Sequence, residues 1–106
     1  MIAYKLFRLL PNGAITPLFI NKKIALPIGE WMEAEFHPTK GFAGRKGWHC
    51  CLKPEAPHLK MKLASGEVRV WAKVEVVYFE YYNRPESQGG TWVLADRMRI
   101  LEILNG

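Results

Sequence analysis

Along this chain, apolar residues recur with a period of two far more often than with the 3.6-residue period of a helix face, which predicts a strand-rich fold. The clearest stretch is 68–79, where Val68, Val70, Ala72, Val74 and Val76 share one face and Arg69, Trp71, Lys73 and Glu75 the other. Such a strand lays one side on the core, and an indole among the charges predicts that the second side is partly covered as well. Near the start, two apolar runs flank Pro11, Asn12 and Gly13, predicting a hairpin of strands over 2–10 and 14–21, since Asn and Gly both tolerate positive φ. On the first of these strands Ile2, Tyr4, Leu6, Arg8 and Leu10 fall on one face, so Arg8 stands in an apolar row. A guanidinium there needs either a carboxylate from elsewhere in the fold, the favoured pairing, or an anionic ligand.

The rest of the pattern is less regular. Pro27 introduces 28–35, which fits a short strand or a single helical turn, and His37 to Gly47 reads as a loop through Pro38, Gly41 and Gly44. Trp48–Leu52 predicts a short buried strand, the prolines at 54 and 57 limit the next stretch to a turn or one helical turn, and 84–90 is a loop. Thr91–Ala95 predicts a further strand; 97–104 fits a short helix or an edge strand, with the strand favoured although Ile100, Ile103 and Leu104 do not alternate cleanly. The expected fold is α+β, mostly β: one small domain over 1–106, an antiparallel or mixed twisted sheet with an N-terminal hairpin and little helix.

Composition supports a self-sufficient core. A chain of 106 residues that is 49% hydrophobic can bury ~65% of its unfolded surface without metal or disulfide staples. No cationic stretch leads into an apolar one at the start, and Lys or Glu interrupts every apolar run before ~18 residues, so a cytoplasmic location is expected and a membrane partner is not. The two cysteines, Cys50 and Cys51, are adjacent; vicinal pairing is strained, so both are expected as thiols, pointing to opposite faces with at most one fully in the core.

Charge is unevenly placed. Residues 1–62 carry a net +6 and residues 63–106 a net −1, and between 40 and 62 six cations face one acid, Glu55. This local excess favours an anionic partner: a nucleotide, a nucleic acid or an acidic protein surface. Within the tract, Arg45, Lys46, Trp48, His49, Lys53 and His58 lie close together in sequence. Histidine exchanges a proton near neutral pH, and fixed cations hold phosphate charge, so His49 and His58 are candidate acid/base residues and Arg8, Arg45, Lys46 and Lys53 candidate anion contacts. The plainer alternative puts Trp48 and one cysteine in the core, His49 at a sheet edge and His58 at a turn. With neither Cys-x-x-Cys nor His-x-x-x-His spacing, no metal site is expected, and no cofactor is implied.

Several segments in order, Tyr4 to Arg8, Pro17 to Phe19, Pro27 to Glu35, Arg45 to His49, Pro57-His58 and Val70 to Val76, resemble a small domain of phage and conjugative-element proteins, often embedded in long polyvalent chains. The resemblance spans most of the first 76 residues. It implies a mobile-element setting in a bacterial host and directs attention to Arg8, Arg45, Trp48, His49 and His58. Lys46 stands where that domain carries proline and Lys73 where it carries glutamate; Glu75, two residues on and on the same face, is a weaker catalytic candidate.

Three function classes are compatible with these features. The first is a nucleotide- or nucleic-acid-directed domain, with or without catalysis. The second is a non-enzymatic interaction protein that anchors a host or phage partner through residues such as Trp31, Trp71, Trp92, Tyr78, Tyr81 and Tyr82. The third, by fold-level analogy, is an ADP-ribosyltransferase-like domain.

Overall fold

The computed structural model describes residues 1–17, 25–33, 48–54, 66–83, 85–88 and 90–104. It is mostly β: β1 (Ile2–Leu9), β2 (Ile15–Thr16), β3 (Trp31–Glu33), β4 (Trp48–Cys51), β5 (Val68–Asn83) and β6 (Thr91–Ile103), with a 3₁₀ turn at Glu86–Gln88. Every strand pairing among them is antiparallel. The expected loop over 37–47 and the turn after Pro54 lie outside the described residues.

The N-terminal hairpin forms with Leu9 opposite Ile15 and Arg8 opposite Thr16. Its turn uses Asn12 differently from the expectation. Only Gly13 takes positive φ, +87°, while the Asn12 side-chain oxygen accepts the Ala14 N–H at 3.0 Å. Pro11 presets the preceding corner, and Gly13 N–H donates to the Leu10 carbonyl at 2.9 Å.

The sheet closes on itself. One edge of β5 pairs with β1 from Val68 to Glu75, and the other pairs with β6. The far edge of β6 is shared between β4, along Trp92–Ala95, and β3, along Arg97–Arg99. The ring is completed where Cys51 of β4 meets Tyr4 of β1. Enclosed in it are Ala3, Phe7, Ile15, Cys50, Ala72, Val74, Val76, Val93, Ala95, Met98 and Ile100. The inward row of β1 is therefore the odd one, through Ala3 and Phe7, and the row containing Tyr4 and Arg8 looks outward.

Sixteen residues of β5 would run ~50 Å if straight, at ~3.3 Å per residue, yet the longest dimension of the molecule is 33 Å. The β5–β6 ribbon must coil, and two irregularities let it. At the first, Lys73 pairs with Glu102 and Val74 with Ile100, which leaves Leu101 as an unmatched extra residue. At the second, Tyr78 adopts φ +53° between the pairs Val77–Arg97 and Phe79–Ala95. Before this point Val76 and Met98 face the core; after it, Ala95 and Val93 do. Both strands change phase together, so a single strand from 91 to 103 reads in sequence as two pieces, and the poor alternation of Ile100, Ile103 and Leu104 is the bulge at Leu101.

A second cluster forms on the outside of the ring, where Cys51 and Trp92 are buried against Trp71 and Tyr82. This covers the outer face of β5 around its indole, as the sequence predicts. It also corrects the expectation for the cysteines: Cys50 is in the enclosed core and Cys51 in the outer cluster, so both are buried, on opposite faces of β4.

Candidate functional site

Alternation along β4 turns Trp48 and Cys50 toward the core and His49 outward, beside Leu94 on β6 and, one strand further, Glu80 on β5. The strand is held from both sides. The Trp48 indole N–H donates to the Met32 carbonyl of β3 at 3.2 Å, and Lys5 Nζ donates to the His49 carbonyl at 2.8 Å. Lys53 follows β4 at an exposed position. His58, Arg45 and Lys46 lie outside the described residues.

Arg8 and Glu75 are engaged within the fold. Arg8 faces Arg69 directly across β1 and β5, a like-charge pair that on its own destabilises a sheet. The Glu67 carboxylate lies between them, 3.4 Å from Arg8 Nε and 3.2 Å from Arg69 Nε. Glu75 forms an ion pair with Arg99. His49 and Glu75 are not brought together: their partners on β6, Leu94 and Arg99, are five residues apart, or roughly 16 Å along the strand.

A different cluster occupies the outer face of β3 and β6. Trp31 sits opposite Arg99, and its ring lies 4.8 Å from the Arg99 guanidinium carbon and 5.5 Å from that of Arg97. The indole remains 36% exposed. Both Nε atoms are buried and have no hydrogen-bond partner among the described residues. Arg99 is held by Glu75, so the positive charge this cluster offers a ligand beside the partly open indole is mainly that of Arg97. The signal in the sequence is the spacing of Arg97 and Arg99, two residues apart, which puts both on one face as soon as 97–104 is read as strand.

Where the ribbon bends at Tyr78, an open recess of about 320 Å³ is lined by Tyr78, Phe79, Glu80, Leu94 and Asp96. Glu80 and Asp96 thus border the same recess as Tyr78 and Phe79. Among the described residues no group of three or more His, Cys, Asp or Glu is placed to hold a metal ion, and no helix is long and apolar enough to cross a membrane.

Inside the ring, Lys5 follows the inward row of β1. Burial pushes its ammonium pKa below the ordinary 10.5, while the neighbouring Cys50 and Cys51 pull the other way. Burial likewise pushes the Cys50 thiol up to about 11, with Lys5 opposing. A raised thiol pKa means the unfolded chain releases this proton first as pH rises. The contribution of Cys50 to stability is thus complete below its ordinary value of 9.0 and is lost between there and about 11. Lys5, shifted down, acts in the opposite sense, gaining stability as pH rises toward 10.5. Melting curves from pH 7 to 11 should therefore show a smaller alkaline loss in Cys50→Ala than in the wild type. At pH 8 iodoacetamide should alkylate Cys50 much more slowly in the native protein than in urea.

No family model matches this sequence, and comparison with curated proteins and with solved structures finds no match.

Proposed function

We propose that the protein is a nucleic-acid-binding module of a mobile genetic element, and that single-stranded nucleic acid is held at Trp31, Arg97 and Arg99. The observation that carries this reading is the 36% exposed Trp31 with the Arg97 and Arg99 guanidiniums beside its ring on the outer face of the sheet. Every base presents a π-face to such a platform, and the Arg97 guanidinium beside it meets a phosphate while Arg99 is held by Glu75, which gives affinity without sequence preference. The formal charge of +5 and pI near 9.4 favour the same class of partner. Between 40 and 62 the sequence adds six cations against the single Glu55. The proposal requires no turnover; a catalytic role for His49 would need His58 and Arg45 beside it.

The test is fluorescence anisotropy of a labelled oligothymidylate against the whole protein at several salt concentrations. Binding should weaken as salt rises, with a logarithmic slope of about 0.7 per phosphate neutralised. Trp31→Ala should weaken it roughly five- to a hundredfold, the ~1–3 kcal/mol of a stacked base, and Arg97→Ala should lower the salt slope. Absence of binding at low salt, or an unchanged affinity for Trp31→Ala, would overturn the proposal.

A second reading, a protein-interaction module without nucleic acid, is favoured by another observation: Tyr78 and Tyr81 stand 73% and 63% exposed.

A further inference from the structure

Alternation along β3 packs Met32 against the enclosed core and leaves Trp31 and Glu33 together on the outer side, both exposed. The two stand about 7 Å apart along the strand, at ~3.4 Å per residue. Across the ladder Trp31 faces Arg99 and Glu33 faces Arg97. That register offers Glu33 a cation, yet the Arg97 guanidinium lies against the Trp31 ring, and its Nε is buried and unpartnered. Among the described residues Arg97 and Glu33 form no ion pair.

An exposed acid is out of place on a surface that has only to attract phosphate. Stacking on Trp31 is indifferent to the base, and a carboxylate repels the backbone that the cations attract. What a carboxylate does well is accept, through its two oxygens, from two donors set side by side. Of the four bases only guanine presents such a pair on its Watson–Crick edge, the N1–H and the N2 amino group. Adenine and cytosine place one amino group beside an acceptor, and thymine places one N–H between two carbonyls. The step of ~7 Å from Trp31 to Glu33 spans half the width of a purine and one hydrogen bond of ~2.9 Å. A purine stacked on the indole with its edge along β3 therefore reaches the carboxylate.

We propose that Glu33 makes the Trp31 platform selective for guanine, its carboxylate accepting from N1–H and the N2 amino group of a base stacked on Trp31 while Arg97 meets a neighbouring phosphate. This rests on the reading of Trp31 and Arg97 as a single-strand site. The platform alone has no base preference, and Glu33 supplies one.

The experiment uses the whole protein and labelled oligothymidylates in which one central thymine is replaced by guanine, adenine, cytosine, hypoxanthine or 7-deazaguanine. Anisotropy should show the guanine strand bound roughly five- to a hundredfold more tightly than the unsubstituted one, the discrimination of one bidentate contact. The 7-deazaguanine strand keeps both donors and should match guanine. Hypoxanthine lacks the amino group and should bind roughly threefold or more weakly than guanine. Glu33→Gln turns one acceptor into a donor and should bring the guanine-to-thymine ratio to about one. Equal binding of all four bases would overturn this proposal and leave the stacking platform standing, whereas absence of binding by any strand would overturn both. A preference lost with 7-deazaguanine would transfer the reading of the base to Arg97, through N7 and O6, and overturn the role of Glu33. So would a ratio that survives Glu33→Gln, or guanosine monophosphate binding as tightly as the guanine strand.

Discussion

Phe7→Ala should destabilise the protein by about 3–5 kcal/mol, the largest effect expected of any single core truncation here. Phe7 is completely buried, the bulkiest of the fully buried side chains, and packs among strands from the whole ring. Removing the ring loses its transfer free energy and leaves a cavity bounded by paired strands, which limits how far the walls can relax. Chemical denaturation in urea should show a lower midpoint with an unchanged slope. Against a total stability of ~5–15 kcal/mol, such a loss leaves the domain marginal. A cost below about 1 kcal/mol would mean that the enclosed core is not where this fold gets its stability.

Trp92→Ala should cost a similar ~3–5 kcal/mol, although Trp92 lies outside the ring. Its indole is buried with Cys51 and covered by Trp71 and Tyr82, so the outer face of β4, β5 and β6 carries a hydrophobic cluster of its own. The same urea titration checks it. A substitution at Trp31, half exposed on the neighbouring face, should by contrast leave the midpoint nearly unchanged, which keeps the oligonucleotide test free of unfolding. A Trp92→Ala effect near zero would reduce the outer cluster to surface decoration and leave the enclosed core alone in holding the sheet.

The parts of this fold legible in sequence are those with a local cause. The alternation from Val70 to Val76 reads correctly because one face lies on the enclosed core and the other is only partly covered, around Trp71, and the N-terminal hairpin reads correctly because Pro11 and Gly13 meet a local backbone need. The outward placement of His49 also follows from alternation once Trp48 is taken as inward. The unity of β6 does not read, because the phase change at Tyr78 and the extra residue at Leu101 arise from coiling a long ribbon around a small core. The spacing of Arg97 and Arg99 does put both on one face of a strand, but that Trp31 lies over them depends on β3 pairing with β6, which no local pattern encodes. Arg8 shows both sides: its need for a carboxylate is legible, but Glu67 as the partner depends on β1 lying beside β5, which no local pattern encodes.

The closure of the ring sets the order in which the chain can fold. Ile2 meets Glu75 and Leu9 meets Val68, so the partners of β1 are 59 to 73 residues away. The β5–β6 ribbon, by contrast, joins neighbours in sequence and can form in microseconds. Contacts so distant must absorb the entropy of a long loop before they return any stability, which places complete folding on the slower, millisecond-to-second scale of barrel-like β proteins. During synthesis, at roughly 5–20 residues per second, β1 leaves the ribosome about 3 to 15 s before its partner strand does. For that interval its apolar row through Ala3 and Phe7 has nothing to close against, and this first strand is where aggregation or capture by a chaperone would begin.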